Sequence, residues 1–124
     1  MLSKQHKSNG RGIYRIKKAF ICSLSGLRFV FINEAAFRQE LLLAVVLFPF
    51  AFIIGEDTIE RLCLIGTLIL LLVVEIINSA IEVIVDRIST DIHPLSKHAK
   101  DLGSAAVFLM LLMTAVVWLA IAIY

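Results

Sequence analysis

The chain has 124 residues, enough for one domain, and 60% of them are hydrophobic, with a mean hydropathy of +0.92. That apolar fraction lies well above what water-soluble domains carry, so a bilayer is the expected solvent. Twelve Lys and Arg against ten Asp and Glu leave a net charge of +2, and a chain with only two Cys, neither at framework spacing, holds no disulfide scaffold.

Residues 1–12 (MLSKQHKSNGRG) are polar and basic, with nothing to bury, and read as a mobile tail. A cleavable signal peptide is not expected, because the first thirty residues are rich in Lys and Arg and lack an apolar core ending in a small-residue cleavage site. From Ile13 the pattern changes: Ile13, Ile16, Phe20, Leu24 and Leu27 recur at threes and fours, opposite Arg11, Arg15 and Lys18. This predicts an amphipathic helix over 13–25 lying on the membrane surface, apolar side among the acyl chains and cations toward anionic headgroups. The interleaved apolar stripe also argues against nucleic acid as the partner of these cations. Ser25 and Gly26 mark an expected bend.

A first transmembrane helix is expected over about 28–55. Its uncharged run, Leu41 to Gly55, is short and gains spanning length by extending back through Ala35, Ala36 and Phe37. Arg28, Asn33, Glu34, Arg38, Gln39 and Glu40 therefore crowd the place where it enters the bilayer. In the turn GEDTIER, Asp57 and Glu60 have the spacing of an N-cap and its reciprocal carboxylate, starting a second span near Thr58 that runs to about 86. In DRISTDIHPLSKHAKD, Pro94 forbids continuation of the preceding helix and Ser96 suits the cap of a third span over about 96–123. Leu102 to Tyr124 carries no charge and, at about 1.5 Å per residue, is long enough for a hydrocarbon core of roughly 30 Å. Most Lys and Arg lie before the first span or in the second loop, which places the N-terminus and that loop in the cytoplasm and the C-terminus outside, with Trp118 and Tyr124 as interfacial aromatics. The chain thus reads as an all-α membrane protein, a single domain over 1–124.

The polar residues inside these spans carry the chemistry. Glu75, Asn78, Glu82 and Asp86 fall on one narrow helical face. A carboxylate in hydrocarbon costs at least ~2.5 to 3.5 kcal/mol on insertion scales, so this stripe needs a reason beyond solubility. Lys97, Lys100, Asp101 and Ser104 share a face at the start of the third span, and Ala99 and Gly103 have the small-xxx-small spacing that lets helices approach closely. Glu34 enters from the same side, so acids of the first two spans can share a cation. The bland readings are interfacial charges for Glu34, Glu40 and Asp86, and a bundle-pinning salt bridge from Glu75 or Glu82 to Lys100 or Arg87. His6, His93 and His98 lack ligand-like spacing, which argues against zinc. Carboxylates beside a polar substrate suit Mg²⁺ binding and hydroxyl activation in phosphoryl transfer, although neither a Walker phosphate loop nor a G-x-G-x-x-G pattern is present. From the residues alone, a lipid kinase, an ion-coupled transporter with Glu75 as its exchangeable proton site, and a structural adaptor all stay open.

The segments NEAAFRQE (Asn33 to Glu40), VEIINSAIEVIVDRI (ending at Ile88) and KDLGSAAV (Lys100 to Val107), in this order and spacing, resemble the bacterial integral-membrane diacylglycerol kinase family from about Arg15 to the C-terminus. The resemblance implies a homotrimeric bundle, each protomer a surface helix and three spans, in the bacterial inner membrane. It also implies transfer of the γ-phosphate of MgATP to the free hydroxyl of diacylglycerol, giving phosphatidate for lipid recycling. On these positions it makes Glu75 the base and gives Glu34 and Glu82 the Mg²⁺ on ATP. Arg15, Asp91, Ile92, His93, Lys100 and Asp101 complete the nucleotide contacts. Asn78 and Ser104 position the lipid glycerol and the base, while Arg15, Arg28, Ala36, Phe37, Arg38, Gln39 and Glu40 line the lipid's place. The chain departs from well-known members in IKKAFICSLSGLR, where Cys22, Leu24 and Ser25 stand in place of aromatic or basic residues. The family also holds undecaprenol kinases; the full NEAAFRQE match favours diacylglycerol.

Overall fold

A computed structural model describes residues 12–88 and 90–124, so the tail expected over 1–12 lies, except for Gly12, outside the described residues. Four helices follow one another: α1 (Ile13–Asn33), α2 (Ala35–Ile54), α3 (Thr58–Ile88) and α4 (Pro94–Ile123). The last three are long and apolar enough to cross a membrane. With 31 and 30 residues, α3 and α4 reach about 45 Å, well beyond the roughly 30 Å of hydrocarbon. That surplus length is where the charged ends of both helices sit.

The helix starts show which local signals governed the chain. At α3, Asp57 Oδ1 accepts the Glu60 N–H at 2.8 Å, as the spacing predicts, while Glu60 Oε2 accepts from the Glu56 N–H at 2.7 Å, one residue outside the cap. At α4 the expected cap is corrected: Ser96 lies inside the helix, and His93 is the cap, its Nδ1 accepting the Leu95 N–H at 3.1 Å. Pro94 explains the earlier start. Its fixed φ suits the first helical position, where its missing N–H would have had no partner in any case.

The first helix also differs from expectation. No bend occurs at Ser25 and Gly26; α1 runs unbroken for 21 residues to Asn33, and the break falls at Glu34, whose backbone is extended (φ −113°, ψ 107°). A glycine permits a bend but does not demand one, and helical Gly26 costs only about 1 kcal/mol against alanine. The Asn33 amide donates to the Phe29 carbonyl at 2.9 Å, occupying one of the last carbonyls of α1. Before the break, α1 presents Ile13, Ile16, Phe20 and Leu24 exposed.

The chain divides into two compact units, one ending at Asn33 and one beginning at Glu34. In the second unit α3 is central, packed against α2 on one side and α4 on the other. A core of Ala44 and Ala51 from α2, Leu64 and Leu68 from α3, and Trp118 from α4 joins the three helices. Alanines on α2 let its backbone approach α3 closely, the means by which helices associate where lipid offers no hydrophobic drive. Trp118 is 9% exposed, with its indole N–H donating to Leu64 O at 3.2 Å and Thr67 Oγ1 at 3.1 Å. Satisfied from within, the indole has no need of interfacial water. Cys22 and Cys63 are free and exposed, in line with the absence of a scaffold.

Candidate active site

The polar face of α3 turns inward. Glu75 is 3% exposed, Asn78 7% and Ser79 4%, in a helix whose other faces are Leu, Ile and Val. The Asn78 side chain one turn away and the Glu40 carboxyl of α2 both lie near enough to act on the Glu75 carboxyl. Glu34 and Glu82 lie near enough to act electrostatically on Glu75. Acids from the start of α2 and from two turns of α3 thus converge on one buried carboxyl.

Around that carboxyl the polar demand exceeds the local supply. Glu40 Oε2, Asn78 Oδ1 and Ser79 Oγ are buried without a hydrogen-bond partner among the described residues. Orphaned polar atoms are rare in native interiors and cost more in a membrane, so three together suit a site built to receive a polar group.

A second polar cluster lies at the end of α3 and the start of α4. A cleft of about 290 Å³ has Asp86, Asp91, Ile92, His93, Ser96, Lys97, Lys100 and Asp101 among its lining residues. Lys100 Nζ bridges from α4 to Asp86 Oδ1 on α3 at 2.6 Å, and Lys97 pairs with Asp101 one turn along α4, also at 2.6 Å. The salt bridge read as a possible pin for Glu75 or Glu82 therefore goes to Asp86. Along α3, Asp86 stands about 16 Å from Glu75, and Glu82 falls between, about 10 Å from Glu75.

The sequence profile described as prokaryotic diacylglycerol kinase matches residues 21–122. The diacylglycerol kinase of Pseudomonas aeruginosa is 50% identical over 110 residues, 89% of either chain. That of Escherichia coli (strain K12) is 48% identical over 114 residues, covering 90% of this chain and 91% of the relative, and that of Haemophilus influenzae is 48% identical over 96 residues, 77% and 81%. The chain belongs to the prokaryotic diacylglycerol kinase family.

Within a prokaryotic diacylglycerol kinase the expected residues fall into distinct places. Glu75, Asn78, Glu40, Glu34 and Glu82 share the α2–α3 neighbourhood, and Asp91, Ile92, His93, Lys100 and Asp101 share the cleft. Arg15 and Arg28 lie exposed on α1, in the other unit. Of the stretch read as lining the lipid's place, Ala36, Arg38 and Gln39 are exposed, while Phe37 is 4% exposed and Glu40 9%. Ser104 is exposed, one residue from buried Gly103.

Two features escaped the sequence reading. Asp86 was noted on the polar stripe without a role, although its one-turn spacing from Glu82 toward the α3 terminus pointed at the loop residues it meets. Ser79 beside Asn78 gave no signal, because a lone serine on a membrane helix ordinarily bonds back to its own helix.

Magnesium carried on ATP needs one or two protein carboxylates, the phosphates and water completing its octahedron. Glu34 and Glu82 supply oxygen donors of that kind, and the Glu34 side chain makes no capping bond to α2.

Proposed function

We propose that this chain is an ATP-dependent diacylglycerol kinase in which Glu75 is the general base. The observation that carries this reading is the burial of Glu75 inside a membrane-length helix, near Asn78 and Glu40, in the same unit as an open cleft bearing Lys100 and Asp101. A substrate alcohol arriving within the bilayer reaches the buried acid, while a nucleotide arriving from water reaches the cleft.

In the reaction, Glu75 accepts the hydroxyl proton of diacylglycerol as that oxygen bonds to the γ-phosphorus and the bond to the ADP oxygen breaks. General base catalysis of this kind contributes about 10²- to 10⁴-fold, and the rest comes from positioning and charge neutralisation. Glu34 and Glu82 would hold the Mg²⁺ that comes with ATP, which would neutralise charge on the transferring phosphoryl group. Lys100 exchanges Asp86 for phosphate oxygens, a swap made cheap by the exposure of that ion pair. Asp91, Ile92, His93 and Asp101 seat the nucleotide, and Asn78 orients the base. Arg15, Arg28, Ser104 and the stretch from Ala36 through Phe37, Arg38 and Gln39 to Glu40 receive the lipid.

The reading extends to assembly and placement. The chain is a homotrimer in the bacterial inner membrane, with its N-terminus in the cytoplasm. The family resemblance supports the trimer, and the concentration of Lys and Arg before α2 supports the orientation. The amphipathic half of α1 lies on the membrane surface, where its exposed Ile13, Ile16 and Phe20 meet acyl chains.

Incubating the purified protein with γ-labelled MgATP in mixed micelles, with diacylglycerol or undecaprenol as acceptor, tests the reading. Label is expected in phosphatidate. Label confined to undecaprenyl phosphate redirects the acceptor, and proton flux in proteoliposomes without lipid phosphorylation overturns the kinase.

A further inference from the structure

The carboxamide of Asn78 is held at both ends, and the second hold comes from a residue whose contribution is the absence of a side chain. Its side chain acts on the Glu75 carboxyl one turn away, which an amide does through its N–H groups because a carboxylate only accepts. Its Oδ1 is buried without a hydrogen-bond partner and lies where the side chain of residue 103 would begin: a Cβ built on Gly103 would overlap Asn78 Oδ1 and stand 3.2 Å from its Cγ. Real Cβ atoms do not tolerate such contacts. Asn78 has only two side-chain torsions, is 7% exposed, and is tied to Glu75, so it yields only by turning its amide away from the carboxyl.

Other helical glycines mark the contrast. Gly26 and Gly66 have nothing within 4 Å of the place a Cβ would take, so alanine fits at either. Along the same small-residue stretch, Ser104, Ala105 and Ala106 all carry a Cβ and are exposed. Helix approach alone is thus served by alanine-sized residues nearby; position 103 alone in this stretch is buried against a polar side chain of α3.

We propose that Gly103 is a positioning residue of the phosphoryl transfer: by leaving room for the Asn78 carboxamide it keeps that amide aimed at Glu75, and through it fixes the direction from which the base meets the lipid hydroxyl. This rests on Glu75 being the base. Packing between α3 and α4 is then coupled to the chemistry through one amide.

The test is a double-mutant cycle on the full chain in mixed micelles, with Gly103→Ala and Asn78→Ala alone and together. Gly103→Ala is expected to lower kcat on the order of a hundredfold, the cost of misplacing a reacting group by about an ångström, with KM for MgATP and for diacylglycerol within about twofold of wild type. It is also expected to lower the melting temperature in the wild-type background but not in Asn78→Ala, where the vacated carboxamide leaves room for the new methyl. Should Gly103→Ala alone fail to fold, recovery of folding in the double variant carries the same meaning. Wild-type kcat in Gly103→Ala, an equal melting-temperature loss in both backgrounds, or a double variant that also fails to fold overturns the proposal. If Gly103→Ala loses kcat and shows the coupling while Glu75→Gln keeps wild-type turnover, the contact stands and the assignment of the base falls instead.

Discussion

At the scale of single residues, placement within one polar stripe separates the roles. Glu75 is 3% exposed, whereas Asp86, eleven residues further toward the end of α3, forms a pair open to water with Lys100 of α4. An exposed ion pair contributes little to stability, so Lys100 can leave Asp86 for a phosphate at small cost. Lys100→Met is therefore expected to raise KM for MgATP about tenfold to a hundredfold, the worth of a charge-assisted hydrogen bond, and to leave KM for diacylglycerol and the melting temperature unchanged. Steady-state kinetics with each substrate varied in turn check this, and an unchanged nucleotide KM removes Lys100 from the site. Glu82→Gln is expected to raise the Mg²⁺ concentration for half-maximal rate, with excess Mg²⁺ restoring much of the turnover. A Mg²⁺ titration at fixed ATP reads it; an unaltered midpoint contradicts the metal role. The convergence of Glu75, Asn78 and Glu82 was legible from helical periodicity, because a 3.6-residue repeat fixes which side chains share a face. That Glu40 reaches Glu75 was not, since it depends on how α2 sits against α3.

Helix termini decide how the elements place these residues. The start of α3 was legible because Asp57 and Glu60 make a local pattern that needs no tertiary help. The start of α4 was misplaced by two residues, because His93 is a less common cap than Ser96 and its action depends on Pro94 fixing the first turn. The break at Glu34 was missed because Ser25 and Gly26 offered a stronger local signal that the helix did not use. Asp57→Ala is expected to cost about 1 kcal/mol through loss of the cap, seen as a lower melting temperature with kcat unchanged. Trp118→Phe removes the indole N–H shared by Leu64 and Thr67 while keeping an aromatic ring, and is expected to cost about 1 kcal/mol. Equal melting temperatures for Trp118→Phe and wild type contradict its role in joining α3 to α4.

On the scale of the whole molecule, three membrane-length helices place a buried acid midway along α3 and an open polar cleft where α3 gives way to α4. Composition made the membrane legible, and the charge surplus of the N-terminal region suggested the orientation. Which helix is central was not legible, because α2, α3 and α4 are all apolar enough to be lipid-facing and only packing selects α3. The most direct measurement compares wild type and Glu75→Gln for transfer of γ-label from MgATP to diacylglycerol, with thermal protection by MgATP recorded on the same samples. Glu75→Gln is expected to lose turnover by about 10²-fold or more and to keep the protection, because the nucleotide still seats in the cleft. Wild-type turnover in Glu75→Gln would contradict a base buried in the membrane at the centre of this enzyme.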